Sequence, residues 1–298
     1  MNDIFTCIKS FVMVSDAGSF SAAAKRLPVS QSTISKHVAA LEAHLETRLF
    51  NRTTRSLTLT TDGAMFYENA LLVLGAVEAA ETSVGRVGGM SGIVRMTAPL
   101  TLAESRVIPM LTRFLELNPR IDIDFRASDH ALNLVADNLD LAVRVGRLND
   151  SRLIARKIGM ARRIAVANPA YLDRVGRPSK PADLARHNCL SYSLLGAGMV
   201  WDFVDGSSVE VNGNFRADSP NALRAGALAG LGIAINARWL FENELESGKL
   251  EIVLPQFEPV PMPIHLVLPA GRHVAARTRV LVEYLADAFA KDPVLAID

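Results

Sequence analysis

The side chains with the most legible chemistry lie just after Ser30, where Gln31, Ser32, Thr33, Ser35 and Lys36 crowd into a short stretch with no acid until Glu42. Such groups hydrogen-bond to base edges and to phosphate, and the lysine neutralises phosphate charge. Ile34, Val38, Leu41 and Leu45 recur at spacings of 4, 3 and 4, the stripe of a helix with one buried side. Ser32, Lys36, Ala39 and Ala43 fall on the opposite side, and small Ala39 permits close approach of a large partner. Ser30 suits the N-cap of this helix, and the unpaired N–H groups of its first turn attract phosphate. An ordinary solvated helix face carries the same residue types, so the neighbouring elements must decide between the two.

Ser19–Leu27 forms a short helix with an alanine-rich face, and Pro28–Val29 interrupts it before the polar helix begins. The apolar stripe is expected to bury against Leu27 and the first helix, with Phe11 and Val14. A short helix, a turn and a small-polar helix make a helix-turn-helix whose second helix enters the major groove. After it, Leu57–Thr60 alternates as a strand and Asn51–Ser56 forms the turn of a hairpin wing, with Arg52 and Arg55 beside Thr53 and Thr54. His37 and His44 are expected to be solvated or to face phosphate.

These pieces occupy residues 1–60 of a 298-residue chain, long enough for two or three domains. That head holds seven Lys/Arg against four Asp/Glu, while the whole chain has a net charge of +1, so the mild excess of positive charge sits at one end. Residues 61–91 are expected to be a linker: one long helix opened by Thr61–Asp62, then a glycine-rich joint. Tyr67, Ala70, Leu74, Val77 and Val84 form a heptad-like seam, which suits pairing with a second copy or packing on the chain's own body. From Gly92 onward strand and helix patterns alternate, as in Arg120–Ser128, where Ile121, Ile123 and Phe125 face one way. A small-residue helix is expected over Leu223–Leu231, a hairpin turn at Asp205–Gly206, and one apolar face on the terminal helix through Leu281, Leu285 and Phe289. The expected class is α/β with a largely parallel sheet, which binds ligands at the carboxyl ends of its strands.

Cys7 and Cys189 have no disulfide or zinc spacing and suit reduced thiols. No secretory signal or membrane span is evident, so a cytoplasmic protein without membrane contact is expected. The sequence lacks a Gly-x-Ser-x-Gly elbow, His-Glu-x-x-His, a phosphate-binding loop and Gly-x-Gly-x-x-Gly, so neither a catalytic residue nor a cofactor nor a metal is expected. A solute-binding transport receptor would share the α/β zone but not the head.

The segments SFSAAAKRL, VSQSTISKHVAALE, LFNRTTRSLTLTTDG, TAPLTLAESRVIPML, DLAVRVGRLNDS and ADSPNALRAGALAGLGIA resemble the LysR-type transcriptional regulators, and within them a CrgA-like branch. The resemblance implies a winged helix-turn-helix, a dimerising linker helix and a periplasmic-binding-protein-like effector domain. It also implies homodimers or homotetramers on promoter DNA, with RNA polymerase as a further partner. On this reading Ser30, Gln31, Ser32, Thr33, Ser35, Lys36, Arg52, Thr54 and Arg55 contact DNA. It further places effector contacts at Thr97, Pro99, Leu100, Thr101, Arg144, Val145, Gly146, Ser193, Asp218 and Ser219. The effector domain, residues 92–298, is expected to fold as lobe one (92–162 and 268–298) and lobe two (163–267), with the effector between them. Thr101 with Glu104 suits a capping box, and Ser219 with Pro220 opens a second helix facing it. Two facing helix N-termini favour a small carboxylate or other anion. Arg144 suits either that anion or a nearby aspartate. Two departures from the family pattern stand out: Glu46 where glycine is usual, and Ala237–Arg238 where many relatives have Leu-Pro.

Overall fold

The computed structural model describes residues 3–24, 29–52, 57–83, 90–148, 153–195, 199–270 and 274–297. The chain divides into a first unit, residues 1–88 with 271–276, and a second, residues 89–270 with 277–298.

In the first unit α1 (Ile4–Ala17) starts at Asp3, whose carboxylate accepts the Phe5 N–H at 3.1 Å. Helix α2 (Phe20–Ala24) is held by Ser19, whose hydroxyl accepts the Ala22 N–H at 3.1 Å. Leu27 and Pro28, expected to end that helix, lie outside the described residues. Helix α3 (Gln31–His44) buries Ile34, Val38 and Leu41 completely, together with Phe11 and Val14 of α1. Strands β1 (Phe50–Arg52) and β2 (Leu57–Leu59) pair antiparallel, so Asn51 and Arg52 belong to a strand where a turn was expected. Helix α4 (Thr61–Ser83) follows. Its cap is Thr60, one residue earlier than the expected signal: the Thr60 hydroxyl accepts the Gly63 N–H at 2.9 Å. The Phe11 ring lies 5.2 Å from that of Phe50 and 5.5 Å from that of Phe66, which joins α1, the wing and α4 in one core. Tyr67 and Ala70, two of the five expected seam residues, are buried in this core with Leu74 packed against it, and the Tyr67 hydroxyl donates to Asp16 at 2.5 Å. Those three therefore serve the chain's own body; Val84 lies outside the described residues.

The second unit begins with β3 (Gly92–Ala98), then α5 (Leu100–Leu102), which runs through a π turn at Ala103–Val107 into α6 (Ile108–Leu117). Strands β4 (Ile121–Ala127), β5 (Leu141–Val145), β6 (Leu153–Ala161) and β7 (Arg163–Ala167) follow, then α7 (Pro169–Val175) and β8 (Cys189–Tyr192). Next come the hairpin β9 (Val200–Asp202) and β10 (Ser208–Glu210), then β11 (Arg216–Ala217), α8 (Pro220–Leu228) and β12 (Ile233–Ala237). The chain closes with α9 (Glu242–Glu246), β13 (Glu251–Val253), β14 (Met262–Pro269) and α10 (Ala276–Lys291).

Two five-stranded sheets result, in the orders β4-β3-β5-β14-β6 and β11-β8-β12-β7-β13. Both are mixed, which corrects the largely parallel expectation: β14 runs antiparallel to β5 and β6, and β7 runs antiparallel to β12 and β13. Each returning strand enters its sheet from the other lobe, so its direction is set by the crossing and not by a helical crossover. All of β14 pairs in the first sheet, so the return crossing lies in the segment between Val253 and Met262, before the expected lobe boundary at 267/268. The small-residue helix starts at Pro220, three residues before the expected Leu223. The alternation in β4 is as expected, with Ile121 buried and Asp122 and Asp124 exposed. Leu281, Leu285 and Phe289 of α10 are fully buried.

Candidate nucleic-acid interface and ligand cleft

The outer side of α3 presents Gln31, Ser32, Lys36, Ala39 and Ala43 to solvent, with Thr33 and Ser35 half-buried beside them. The first turn is organised by Ser30, whose hydroxyl accepts the Thr33 N–H at 3.2 Å and lies 2.7 Å from the Ser32 hydroxyl and 2.9 Å from that of Thr33. These hydroxyls hold the helix start in place as well as offering polar atoms outward. His37 departs from expectation. Its Nδ1 is bonded to the hydroxyl of buried Ser10 at 2.8 Å, so it fastens α3 to α1 where a solvated or phosphate-facing ring was expected.

Glu42 was legible only as the first acid on the face, yet it does structural work. Its Oε1 accepts the Leu49 N–H at 2.9 Å and the Phe50 N–H at 3.2 Å, clamping the start of the wing to α3. The Glu46 departure also has a clear form. Glu46 stands at φ +51°, the left-handed backbone that glycine usually supplies, and the Thr47 N–H reaches back to the Glu42 carbonyl at 3.2 Å. The helix end keeps the glycine-type geometry without the glycine. The backbone of Arg52 ends β1; its side chain, and Thr54 and Arg55 entirely, lie outside the described residues.

In the second unit the expected effector residues separate into two groups. One group is engaged within the protein. The Thr97 hydroxyl donates to the Arg126 carbonyl at 2.6 Å, and the Gly146 N–H to the Pro263 carbonyl at 2.8 Å. Arg144 donates to the Leu132 carbonyl at 2.6 Å. Half-buried Val145 precedes Gly146, whose φ of +103° and Cβ direction toward Met262 favour glycine.

The other group lies where the two sheets approach one another. The first amide of α5, Leu100 N–H, donates to the Asp129 carboxylate at 3.0 Å. This replaces the expected Thr101–Glu104 capping box: Pro99 is the N-cap, and the capping carboxylate comes from the loop after β4. Next to Asp129, His130 Nε2 lies 3.8 Å from Asp218 Oδ2 on the other lobe, with both side chains 67% exposed. Burial, followed in effect by the charges of Asp129 and Asp218, pushes the Tyr192 phenol up. Burial likewise pushes Asp129 up, against the Leu100 hydrogen bond that lowers it. Ser193, just past β8, bonds through its N–H to the Ala217 carbonyl at 2.8 Å, and the Ser219 side chain makes no cap bond at α8. The cleft edge is thus acidic. At α5 the Leu100 N–H, one of the donors expected to face an anion, holds the Asp129 carboxylate.

Asp129, His130 and Tyr192 are further candidate residues at this edge that the sequence reading did not single out. A signal existed: Asp129 and His130 stand two and three residues past β4 and Tyr192 ends β8, at the carboxyl edge where open α/β sheets bind ligands. At the other departure from the family pattern, the Arg238 N–H donates to the Arg162 carbonyl at 3.0 Å, at the crossing between the lobes. A proline at that position would lack the donor. Cys189 is fully buried and its thiol is pushed up to about 12 by that burial, which suits a packing role.

Residues 5–64 match the model of the bacterial regulatory helix-turn-helix proteins of the lysR family, and residues 88–290 match the LysR substrate binding domain. The chain is 32% identical to an HTH-type transcriptional repressor of Pseudomonas aeruginosa over 98% of its own length and 94% of that protein. It is 34% identical to the HTH-type transcriptional regulator CrgA of Neisseria meningitidis, over 93% and 94% of the two chains. The solved structure of CrgA, a LysR-type regulator of that organism, matches with a TM-score of 0.59 at 31% identity, over 96% of this chain and 98% of the other.

Proposed function

Since the chain belongs to the LysR-type family of transcriptional regulators, we propose that it binds promoter DNA through the outer side of α3 and the wing, under control of a small molecule held between the two lobes of the second unit. The observation that carries the DNA reading is the two-sidedness of α3. Ile34, Val38 and Leu41 are fully buried, which fixes the helix on its own core, while Gln31, Ser32, Lys36, Ala39 and Ala43 are exposed. A helix so mounted offers amide, hydroxyl and ammonium groups at the width of a major groove.

For the effector, the acidic edge made by Asp129 and Asp218, with the Tyr192 hydroxyl, favours a ligand that brings hydrogen-bond donors. Thr101, 8% exposed, and Ser219 are the hydroxyls offered beside them. Ligand binding changes the closure of the lobes and so the arrangement of paired DNA-binding units, by population shift.

Self-association is proposed through the solvent side of α4. Met65, Asn69, Leu72 and Ala76 follow spacings of 4, 3 and 4, and Met65 is 64% exposed. This stripe is distinct from the Tyr67–Ala70 side that covers the core.

Footprinting of the DNA upstream of the protein's own gene, with and without a metabolite extract, tests the reading. A protected site whose extent changes with extract is expected; absence of any protected site on duplex DNA contradicts it.

A further inference from the structure

The helices that open toward the cleft from the two lobes, α5 with α6 and α8, are joined to each other through α9. From lobe one, Arg106 in the π turn donates to Glu242 at 2.8 Å. From lobe two, Arg224 of α8 pairs with Glu244, its Nε at 2.9 Å from Oε2. Glu242 and Glu244 are two residues apart on the same short helix. Each joint has one sheltered partner: Arg106 is 20% exposed against 34% for Glu242, and Glu244 8% against 34% for Arg224. Asp292 Oδ2 lies at ion-pair distance from Arg106, 3.4 Å from its Nε, and Asp292 in turn accepts the Val294 N–H in the C-terminal segment. Just before α9, the Arg238 N–H bond to Arg162 pins the chain at the crossing between the lobes.

We propose that α9 is a strut: its two ion pairs hold the cleft-opening helices at one separation and set the closure of the lobes before any ligand arrives. A helix end displaced by a ligand must move α9 or break one of these pairs. A network with two discrete arrangements is the physical carrier of such coupling. Removing one charge leaves its sheltered partner uncompensated and weakens the closed geometry. The consequence for regulation rests on the effector reading above; the strut itself does not.

The test uses the full-length chain without ligand or DNA, so failure of the strut and failure of the effector reading are told apart. Nitroxide labels are placed at Asp122→Cys in lobe one and Glu210→Cys in lobe two, both exposed positions, with native Cys7 and Cys189 buried. Pulsed dipolar spectroscopy then gives the interlobe distance distribution. With the labelled chain diluted in excess unlabelled chain, so that distances between subunits drop out, the parent is expected to show one narrow interlobe peak. Glu242→Gln and Glu244→Gln are each expected to broaden or shift it, whereas Glu246→Gln, exposed on the same helix, leaves it unchanged. Arg106→Gln, which removes the other charge of the lobe-one pair, is expected to broaden or shift the peak in the same direction as Glu242→Gln. Should Glu244→Gln fail to fold, Glu242→Gln and Arg106→Gln decide. A distribution unmoved by Glu242→Gln and by Arg106→Gln, or moved equally by Glu246→Gln, overturns the strut.

Discussion

Replacing Glu46 with glycine is expected to stabilise the DNA-binding unit although it removes a side chain and adds no contact. Glu46 stands at φ +51° immediately after α3, where its Cβ crowds the backbone. An L-residue in the left-handed region costs about 1–2 kcal/mol relative to its relaxed conformation. Glycine avoids that cost but gives back about 0.4–1 kcal/mol through the larger freedom of the unfolded chain. The net expectation is a gain of about 0.5–1 kcal/mol, equivalent to amide exchange in α3 slowed roughly two- to fivefold. Hydrogen exchange at Val38–Leu41 is the suitable assay, because Trp201 and Trp239 lie in the second unit and report elsewhere. Glu46→Ala is the decisive control: it removes the charge but keeps the Cβ, so it should give no such gain. Equal protection in the glycine and alanine variants would refute the argument from backbone strain and point to charge instead.

Other outcomes follow from the same geometry. Gly63→Ala should cost about 2–4 kcal/mol and weaken DNA binding, because a Cβ there would stand 2.0 Å from the Leu49 carbonyl oxygen that receives the Thr60 N–H; chemical denaturation followed through α3 exchange checks it. Glu244 is held below the ordinary glutamate value of 4.5, first by its hydrogen bond from Arg224. The folded state therefore binds its proton less readily than the unfolded one. The stability it contributes is complete above that value and is lost as pH falls through and below it. Glu244→Gln should flatten this acid limb in tryptophan-monitored urea titrations; an unchanged slope contradicts the pairing. Met65→Glu with Leu72→Glu should lower the assembly state in sedimentation without loosening the core, since Met65 is exposed; an unchanged mass disproves the α4 stripe.

How far the sequence carried depended on the distance over which each feature is decided. The buried stripe of α3 and the alternation of β4 are local periodicities, and both appear as expected in burial. The hairpin turn at Asp205–Gly206 was equally local: Gly206 takes φ +87° between β9 and β10. What failed was decided by distant partners. The cap of α5 is Asp129, 29 residues away, and nothing near Thr101 announces it. His37 looked solvent-facing because its partner, Ser10, belongs to another helix 27 residues earlier. Glu42 sits on the polar side of α3 by spacing alone, yet it reaches the wing backbone. The direction of β14 and the sheet it joins are set by where the chain crosses between lobes, which PIHLVLP as a local pattern cannot encode. The seam through Tyr67 and Ala70 was again a local period, and of the two uses it allowed, packing on the chain's own body is the one its burial shows.

The central claim, that the outer side of α3 lies against duplex DNA, is tested most directly by the salt dependence of binding to the footprinted site. For Lys36→Ala the slope of log affinity against log salt should become shallower by about 0.9, the release of one phosphate contact. For Gln31→Ala the slope should stay as in the parent, while discrimination at one base pair falls by about 1–3 kcal/mol. Parent-like slope and parent-like selectivity in both variants would contradict the account.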